Sequence, residues 1–550
     1  MPLPPIIRPA IAAALLLAFA TTLSAQSGRV PGSSYQPGID VLDYDIRLDL
    51  PDTGAFIGGD VIVTLRRAEN VRMLRLDLAR TLAVRRVSVN DVDVSPVRDG
   101  STIRIPIGAE AGDSVRVRVR YDGHVTDGLI VQHDQRGRWT WFGDNWPDRA
   151  RQWLPTVDHP SDKATVSFTV RAPSTRTVVA NGSLLGVERL TGAEAGRSVT
   201  RWRETHPIAT YLMVIAAGPL DQTVLAAAGC IASPEHRCVP ESVYTLPGST
   251  GWMPGPFAAA PAIVAYFESL VGPFPFEKLA HLQSATRFGG MENASAIFYA
   301  DQLFTTRTLA DGIIAHETAH QWFGDAVTES EWAHLWLSEG FATYFAALWT
   351  RHAHGDAAFE REMASIRAKI LADSVVATRP VLDTAQRDYL RLLNANSYEK
   401  GGYVLFLLNR QLGDSAFFAG VRAYYARHRD GNAVSDDVRR ELEAASGRDL
   451  GPFFDQWLRR PGVPDVTLGW AFDPATGRLS VFALQGGPSR PYQLRIPIEV
   501  TQTDGRVSIV ELDVPAVNRA TITLPQRYLG RPDRVRIDPD DRLLARISRL

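Results

Sequence analysis

The period of the apolar residues changes twice along this chain, and each change limits what the segment can fold into. From Tyr44 to Gly218 apolar residues alternate in short runs, "YDIRLDL", "GDVIVTLRR", "SVRVRVRY" and "ATVSFTVRAP", separated by turn residues. Alternation puts one face of a strand in a core and the other in water, which predicts antiparallel sheet. From Gly255 to Pro461 the spacing becomes three and four, in "TLADGIIAHETAHQWFG", "WLSEGFATYFAALWTRHA" and "SYEKGGYVLFLLNRQLG", as on the buried stripe of a helix. From Val466 strands return, in "RLSVFAL", "YQLRIPIEV", "RVSIVELDV" and "RATITL". At 550 residues the chain is too long for a single core. The expected fold is multidomain α+β: an N-terminal antiparallel β domain over residues 30–240, a mainly α domain over 241–463 and a small C-terminal β domain over 464–550.

The charge balance of 59 basic and 61 acidic side chains, net -2, excludes the basic excess that binds nucleic acid or an anionic membrane surface. Lysine occurs only at Lys163, Lys278, Lys369 and Lys400, a genomic bias read here as bacterial. Arg8, the small-apolar run Ala10 to Ala20 and the small residue Ala25 form the pattern of a signal peptide over residues 1–25. The run falls short of the roughly 20 residues a spanning helix needs. Export to the periplasm or medium, with no stable membrane insertion after cleavage, is expected. Only two cysteines occur, Cys230 and Cys238, in "GCIASPEHRCVP". In an oxidising compartment two thiols so close in a loop are expected to form an intrachain disulfide.

"HETAH" carries the chemistry. His316 and His320 are four apart, so a helix projects both imidazoles from one face, about 6 Å apart at Cβ, where both reach one zinc. Glu317 lies beside them, placed to act on water at the metal without being a ligand. Gly324 is a plausible helix stop, and antiparallel return of the next helical pattern brings Glu339 over the histidines. Two His and one Glu with a fourth position left open make a catalytic rather than a structural zinc site. One zinc per chain is expected. His352 and His354, in "RHAHGD" among charges, read as surface residues.

His316, Glu317, His320 and Glu339, with 18 residues between the last two ligands, resemble the zinc signature of the M1 aminopeptidases, gluzincins that include aminopeptidase N and leukotriene A4 hydrolase. "GGMEN", Gly289, Gly290, Met291, Glu292 and Asn293, resembles that family's exopeptidase motif and ends 23 positions before His316. "YEKGG", from Tyr398, matches its catalytic tyrosine motif, and "HQWFGD", "LWLSEGFA" and "FFDQWLRRPGVP" extend the likeness through Gly255 to Pro464. The resemblance implies a thermolysin-like catalytic domain over 241–463 and hydrolysis of the first bond of peptides with a free N-terminus. It assigns Glu317 as general base and Tyr398 as oxyanion donor. It also assigns Glu292 as the carboxylate that pairs with the substrate ammonium, with Gly289 and Gly290 letting a peptide backbone approach.

The chain departs from the family in places. Ser338 stands where many relatives have Asn, and Ala346 where they have Glu. Aligned on "RARQWLPTVDHPSDKATV", Asp144 falls near a Gln that helps bind the α-amine in relatives, with Asp148 close by; either is a candidate second anchor. About 85 strand-like residues replace the large helical C-terminal domain of many relatives. Two rival readings stay open: a thermolysin-like zinc endopeptidase, if GGMEN is only a turn, and a catalytically silent interaction protein on the M1 fold. The complete ligand set and Glu317 argue against the second.

Overall fold

The computed structural model describes residues 35–108, 112–226, 238–486 and 490–549. The signal-peptide pattern and Cys230, and with it the expected disulfide, lie outside the described residues. In the N-terminal domain an eight-stranded sheet runs in the order Ser183–Arg189, Arg197–Ala209, Lys163–Pro173, Ile39–Asp49, Phe56–Arg67, Ser114–His124, Leu82–Val89, Val92–Asp93. Its alternating residues do what the pattern predicts: Ile46, Leu48, Val61, Val63, Val117 and Val119 are buried on one face. One pair is parallel, with Tyr44 opposite Val166 and Ile46 opposite Phe168. The antiparallel expectation is corrected there, because the two strands are joined by a long crossover rather than by a hairpin.

The middle of the chain begins with a five-stranded sheet, ordered Asp221–Val224, Glu241–Thr245, Leu279–Ser284, Ala296–Ala300, Gly290–Met291. Three of these strands are mutually parallel. The last is a short antiparallel edge, with Gly290 opposite Tyr299 and Met291 opposite Phe298. Helical spacing does not foretell this sheet. "LAHLQS" is buried throughout and "AIFYA" nearly so, and a strand covered on both faces has no period-two signal.

The helices are α1 (Ala260–Val271), α2 (Asp301–Thr305), α3 (Asp311–His320), α4 (Trp336–His354), α5 (Asp356–Ala372), α6 (Ser374–Thr378), α7 (Gly401–Leu412), α8 (Asp414–His428), α9 (Ser435–Ser446) and α10 (Gly451–Leu458). Helix α4 is the centre of the domain. Trp336, Leu337, Phe341, Phe345 and Leu348 are buried along it, and it packs on α3, α5 and α7. A single π-helical turn, Asn396–Lys400, precedes α7; such turns gather at functional sites. The C-terminal strands form a four-stranded and a three-stranded sheet. They dock on α5 and α7 through Arg367, which donates to the Leu543 and Ala545 carbonyls at 2.7 and 3.0 Å, and Tyr403, which donates to the Arg542 carbonyl at 2.8 Å. No helix among the described residues is long and apolar enough to cross a membrane.

Candidate active site

The C-terminal turn of α3 faces the N-terminal turn of α4. His320 ends the first helix and Glu339 lies in the first turn of the second, an arrangement in which both helix dipoles favour the side chain's charge. Nε2 of His316 and Nε2 of His320 are 3.2 Å apart, and Glu339 Oε2 is 3.4 Å from each. A tetrahedral zinc with bonds of about 2.0–2.1 Å needs ligand-to-ligand edges of about 3.3–3.4 Å. Glu339 Oε2 is buried and receives no hydrogen bond of ordinary geometry. Three converging donor atoms, one of them orphaned, fit zinc.

The charges point the same way. Burial pushes the Glu339 carboxyl up, but His320, with His316 adding, overrides it and holds it at about 2. Burial pulls His320 down, yet Glu339 and Glu292 raise it well above the imidazole range. Burial also raises Glu292, to about 7, with His320 opposing and Glu339 adding. With Glu317, which also raises His320, three buried carboxyl groups thus lean on one imidazole, and a divalent cation matches the charge that set calls for.

His320 is oriented from behind. Its Nδ1 lies 2.8 Å from Ser338 Oγ and 3.2 Å from the Phe323 carbonyl, and the Ser338 hydroxyl in turn donates to that carbonyl at 3.3 Å. With the proton on Nδ1, the Nε2 lone pair faces Glu339 and His316. Ser338 therefore supplies a hydroxyl that helps to orient His320. Ala346, two turns further along α4, presents only a methyl group.

Tyr398 sits on the π-helical turn with its ring nearly parallel to His316, centroids 6.0 Å apart, and its hydroxyl donates to Glu339 Oε1 at 2.8 Å. Two glycines permit this approach. A Cβ on Gly340 of α4 would meet the Gly401 carbonyl carbon at 2.8 Å, and one on Gly401 would meet Gly340 Cα at 3.1 Å. The seam packs backbone against backbone, drawing the tyrosine up to the ligand.

Gly290 has a different reason from the one expected. A Cβ there would collide with the Glu317 carboxylate, which occupies that space, whereas Gly289 faces open space. The edge strand is thus cut away for one of the chain's own side chains. Glu317 is buried against it, and burial, with Glu292 and Glu339 adding, raises its carboxyl well above the usual range. Oxygens of Glu292 and Glu317 and a His320 nitrogen lie within 4.8 Å of one another. Met291 points into the core, and the Asn293 amide is buried without a hydrogen-bond partner; nothing in the structure explains that.

Gln321, overlooked within "HQWFGD", ties the two motifs together. Its Nε2 donates to the Glu292 carbonyl and to Asp325 Oδ2, both at 2.8 Å, while its Oε1 accepts the Ser295 N–H at 2.7 Å. The sequence signal was there, a polar amide directly after a zinc histidine, but two of its partners, Glu292 and Ser295, lie in the connection between two strands remote in sequence. Asp144 is fully buried and held by Arg149 at 3.1 Å and Arg287 at 3.6 Å; Asp148 is half exposed, 3.5 Å from Arg151. As a second amine anchor Asp144 would have to leave two arginines. His354 pairs with Asp311 at 2.9 Å and His352 stacks on Tyr266, both away from the metal ligands.

Two family models match: "Peptidase M1 N-terminal domain" over residues 41–212 and "Peptidase family M1 domain" over 258–457. They span more than half of the chain, and the second carries GGMEN, HETAH and YEKGG. The chain belongs to peptidase family M1. Among curated relatives, "Aminopeptidase N" of Streptomyces lividans is 30% identical over 540 residues, covering 92% of this chain and 59% of the relative. "Leucyl aminopeptidase" of Saccharolobus solfataricus is 27% identical, covering 78% and 54%. This M1 chain thus spans little more than half the length of these relatives. Among solved structures, an M1 zinc metallopeptidase from Deinococcus radiodurans superposes with a TM-score of 0.67 at 24% identity, covering 78% of this chain and 95% of that one. Legionella pneumophila aminopeptidase A, in complex with aspartic acid, gives 0.79 at 17%, covering 93% and 60%. These neighbours establish the multidomain fold.

Proposed function

We propose that this M1 chain is a zinc-dependent aminopeptidase that hydrolyses the first bond of peptides with a free N-terminus. His316, His320 and Glu339 would hold the zinc, which when bound supplies a positive charge that polarises the scissile carbonyl and acidifies water. The observation that carries the reading is the closeness of Glu292 to Glu317 and His320. An α-nitrogen is about 2.5 Å from the first carbonyl carbon, and each later carbonyl is roughly 3.8 Å further on. A carboxylate this near the hydrolytic centre can hold the ammonium only when the first bond lies at that centre. An acylated or internal peptide leaves Glu292 buried without its counter-charge, a penalty of several kcal/mol.

The other roles follow from position. Glu317 takes the proton of the attacking water and delivers it to the leaving nitrogen. Tyr398, now donating to Glu339 Oε1, swings its hydrogen bond to the oxyanion that develops beside it. The test is hydrolysis of aminoacyl chromogenic substrates beside their N-acetylated versions, with and without chelator. Free-amine substrates should be cleaved and chelator should abolish turnover. Equal cleavage of both series, or cleavage within longer blocked peptides, would establish the endopeptidase alternative.

The same reading includes export, supported by Arg8 and the apolar run from Ala10, and a disulfide joining Cys230 to Cys238. N-terminal sequencing of the protein recovered outside the cytoplasm, and its intact mass before and after reduction, test both; an uncleaved Met1 or an unchanged mass would contradict them.

A further inference from the structure

Three successive carbonyls in the turn after the zinc helix are held by side chains of the N-terminal β domain. Tyr211 Oη donates to the Gly324 carbonyl at 3.2 Å. Lys163 Nζ donates to the Asp325 carbonyl at 2.9 Å, the Ala326 carbonyl at 2.8 Å and the Gly431 carbonyl at 3.1 Å. An ammonium has three donors, and all three of Lys163 go to backbone of the catalytic domain.

The turn is joined to the zinc ligand at both ends. The His320 carbonyl accepts the Asp325 N–H at 3.0 Å, and the Gln321 carbonyl accepts the Ala326 N–H at 3.1 Å. The Phe323 carbonyl, next to Gly324, faces His320 Nδ1 at 3.2 Å. Moving the Gly324 to Ala326 backbone therefore moves the acceptor that orients the imidazole. The N-terminal domain sits where a partner of a metal ligand's own partner acts, and such outer groups set ligand orientation and metal affinity.

We propose that Lys163 and Tyr211 are positioning residues for His320, so that the N-terminal β domain forms part of the zinc site. Its side chains fix the turn, the turn fixes the Phe323 carbonyl, and the carbonyl, with Ser338, aims Nε2 at the metal. The inference rests on the zinc reading above but adds a requirement to it: the catalytic domain's own ligands are insufficient for tight binding unless the neighbouring domain clamps the turn.

The test compares zinc affinity of the full chain, by competition with a chelator of known affinity, in wild type, Tyr211→Phe, Lys163→Met and Thr205→Val. Thr205 hydrogen-bonds Glu277 across the same domain boundary without touching the turn, and its variant is the control. Loss of an outer partner weakens metal binding by about 10- to 100-fold. We expect about tenfold for Lys163→Met and at least about threefold for Tyr211→Phe, acting one link further out. In both, kcat falls more than KM changes. Thr205→Val lowers the melting temperature and leaves affinity as it was. Zinc affinities within twofold of wild type in both turn variants, whatever their melting temperatures, overturn the proposal. Should Lys163→Met fail to fold, Tyr211→Phe, which removes one hydroxyl, decides alone. A wild-type chain that binds no stoichiometric zinc fails earlier and overturns the zinc reading instead.

Discussion

The catalytic domain buries two clusters of histidine and glutamate, and only one is built as a metal site. At His316, His320 and Glu339 three donor atoms converge at 3.2–3.4 Å, with His320 aimed from behind. Across the five-stranded sheet, His281 and Glu241 are buried as completely, but His281 Nε2 and Glu241 Oε2 stand 3.7 Å apart. His281 Nδ1 contacts only Tyr299 Oη, at 3.0 Å. Burial pulls His281 down to about 3 and pushes Glu241 up to about 8, so both are neutral near pH 7. Among the described residues, groups of three potential ligands converge only at the active site. Burial of His beside Glu is therefore no sign of a metal; convergence and orientation are.

The largest test of that contrast exchanges the two histidines' fates. His320→Ala should lose stoichiometric zinc and, with it, essentially all turnover, since a three-ligand site cannot spare one. His281→Phe should lower the melting temperature while zinc content and kcat per folded molecule stay within about threefold, as for a purely structural core residue. Metal analysis and active-site-normalised kinetics on both variants read the difference. Full zinc occupancy in His320→Ala would erase the distinction.

Beside the zinc ligands, Glu317 and Tyr398 should separate by role. Glu317→Gln keeps the metal and loses roughly 100- to 10,000-fold in kcat, because an amide cannot accept the water's proton. Tyr398→Phe leaves ring packing and zinc in place but deletes an oxyanion donor, an effect of about 100-fold on kcat with little change in KM. Lowered stability with kcat retained would make Tyr398 structural.

The zinc triad was legible because its chemistry is written in spacing: four residues on one helix, then a return helix bringing Glu339 back. What lay hidden came from groups whose neighbours in space are remote in sequence. Nothing around Gly290 says that the Glu317 carboxylate needs its missing Cβ, and Lys163 gives no hint that it caps carbonyls of the turn after His320. The strands Leu279–Ser284 and Ala296–Ala300 were unreadable for a different reason, their continuous burial. The resemblance puts Asp144 only near an amine-binding position, and Arg149 and Arg287 hold it, with Arg287 arriving from the far side of the domain boundary.

The smallest effect belongs to the second cluster. Glu241 in the folded chain holds its proton up to about pH 8, against about 4.3 when unfolded. The folded state binds the extra proton between those values, so its stability is full below about pH 4.3 and declines as pH rises towards 8. Glu241→Gln, neutral at every pH, should raise the melting temperature at pH 8, with the gain shrinking towards pH 5. A gain independent of pH would mean that Glu241 is not protonated in the native state.

The central claim is that a buried carboxylate next to the metal ligands reads the free amine, and the most direct measurement is one ratio. The kcat/KM of a free aminoacyl substrate is divided by that of its N-acetylated analogue, in wild type and in Glu292→Ala. The account predicts a large ratio in wild type that collapses by at least about tenfold in the variant, because losing the charge pair hurts the good substrate and relieves the poor one. A ratio unchanged by the substitution, with zinc still bound, would contradict it.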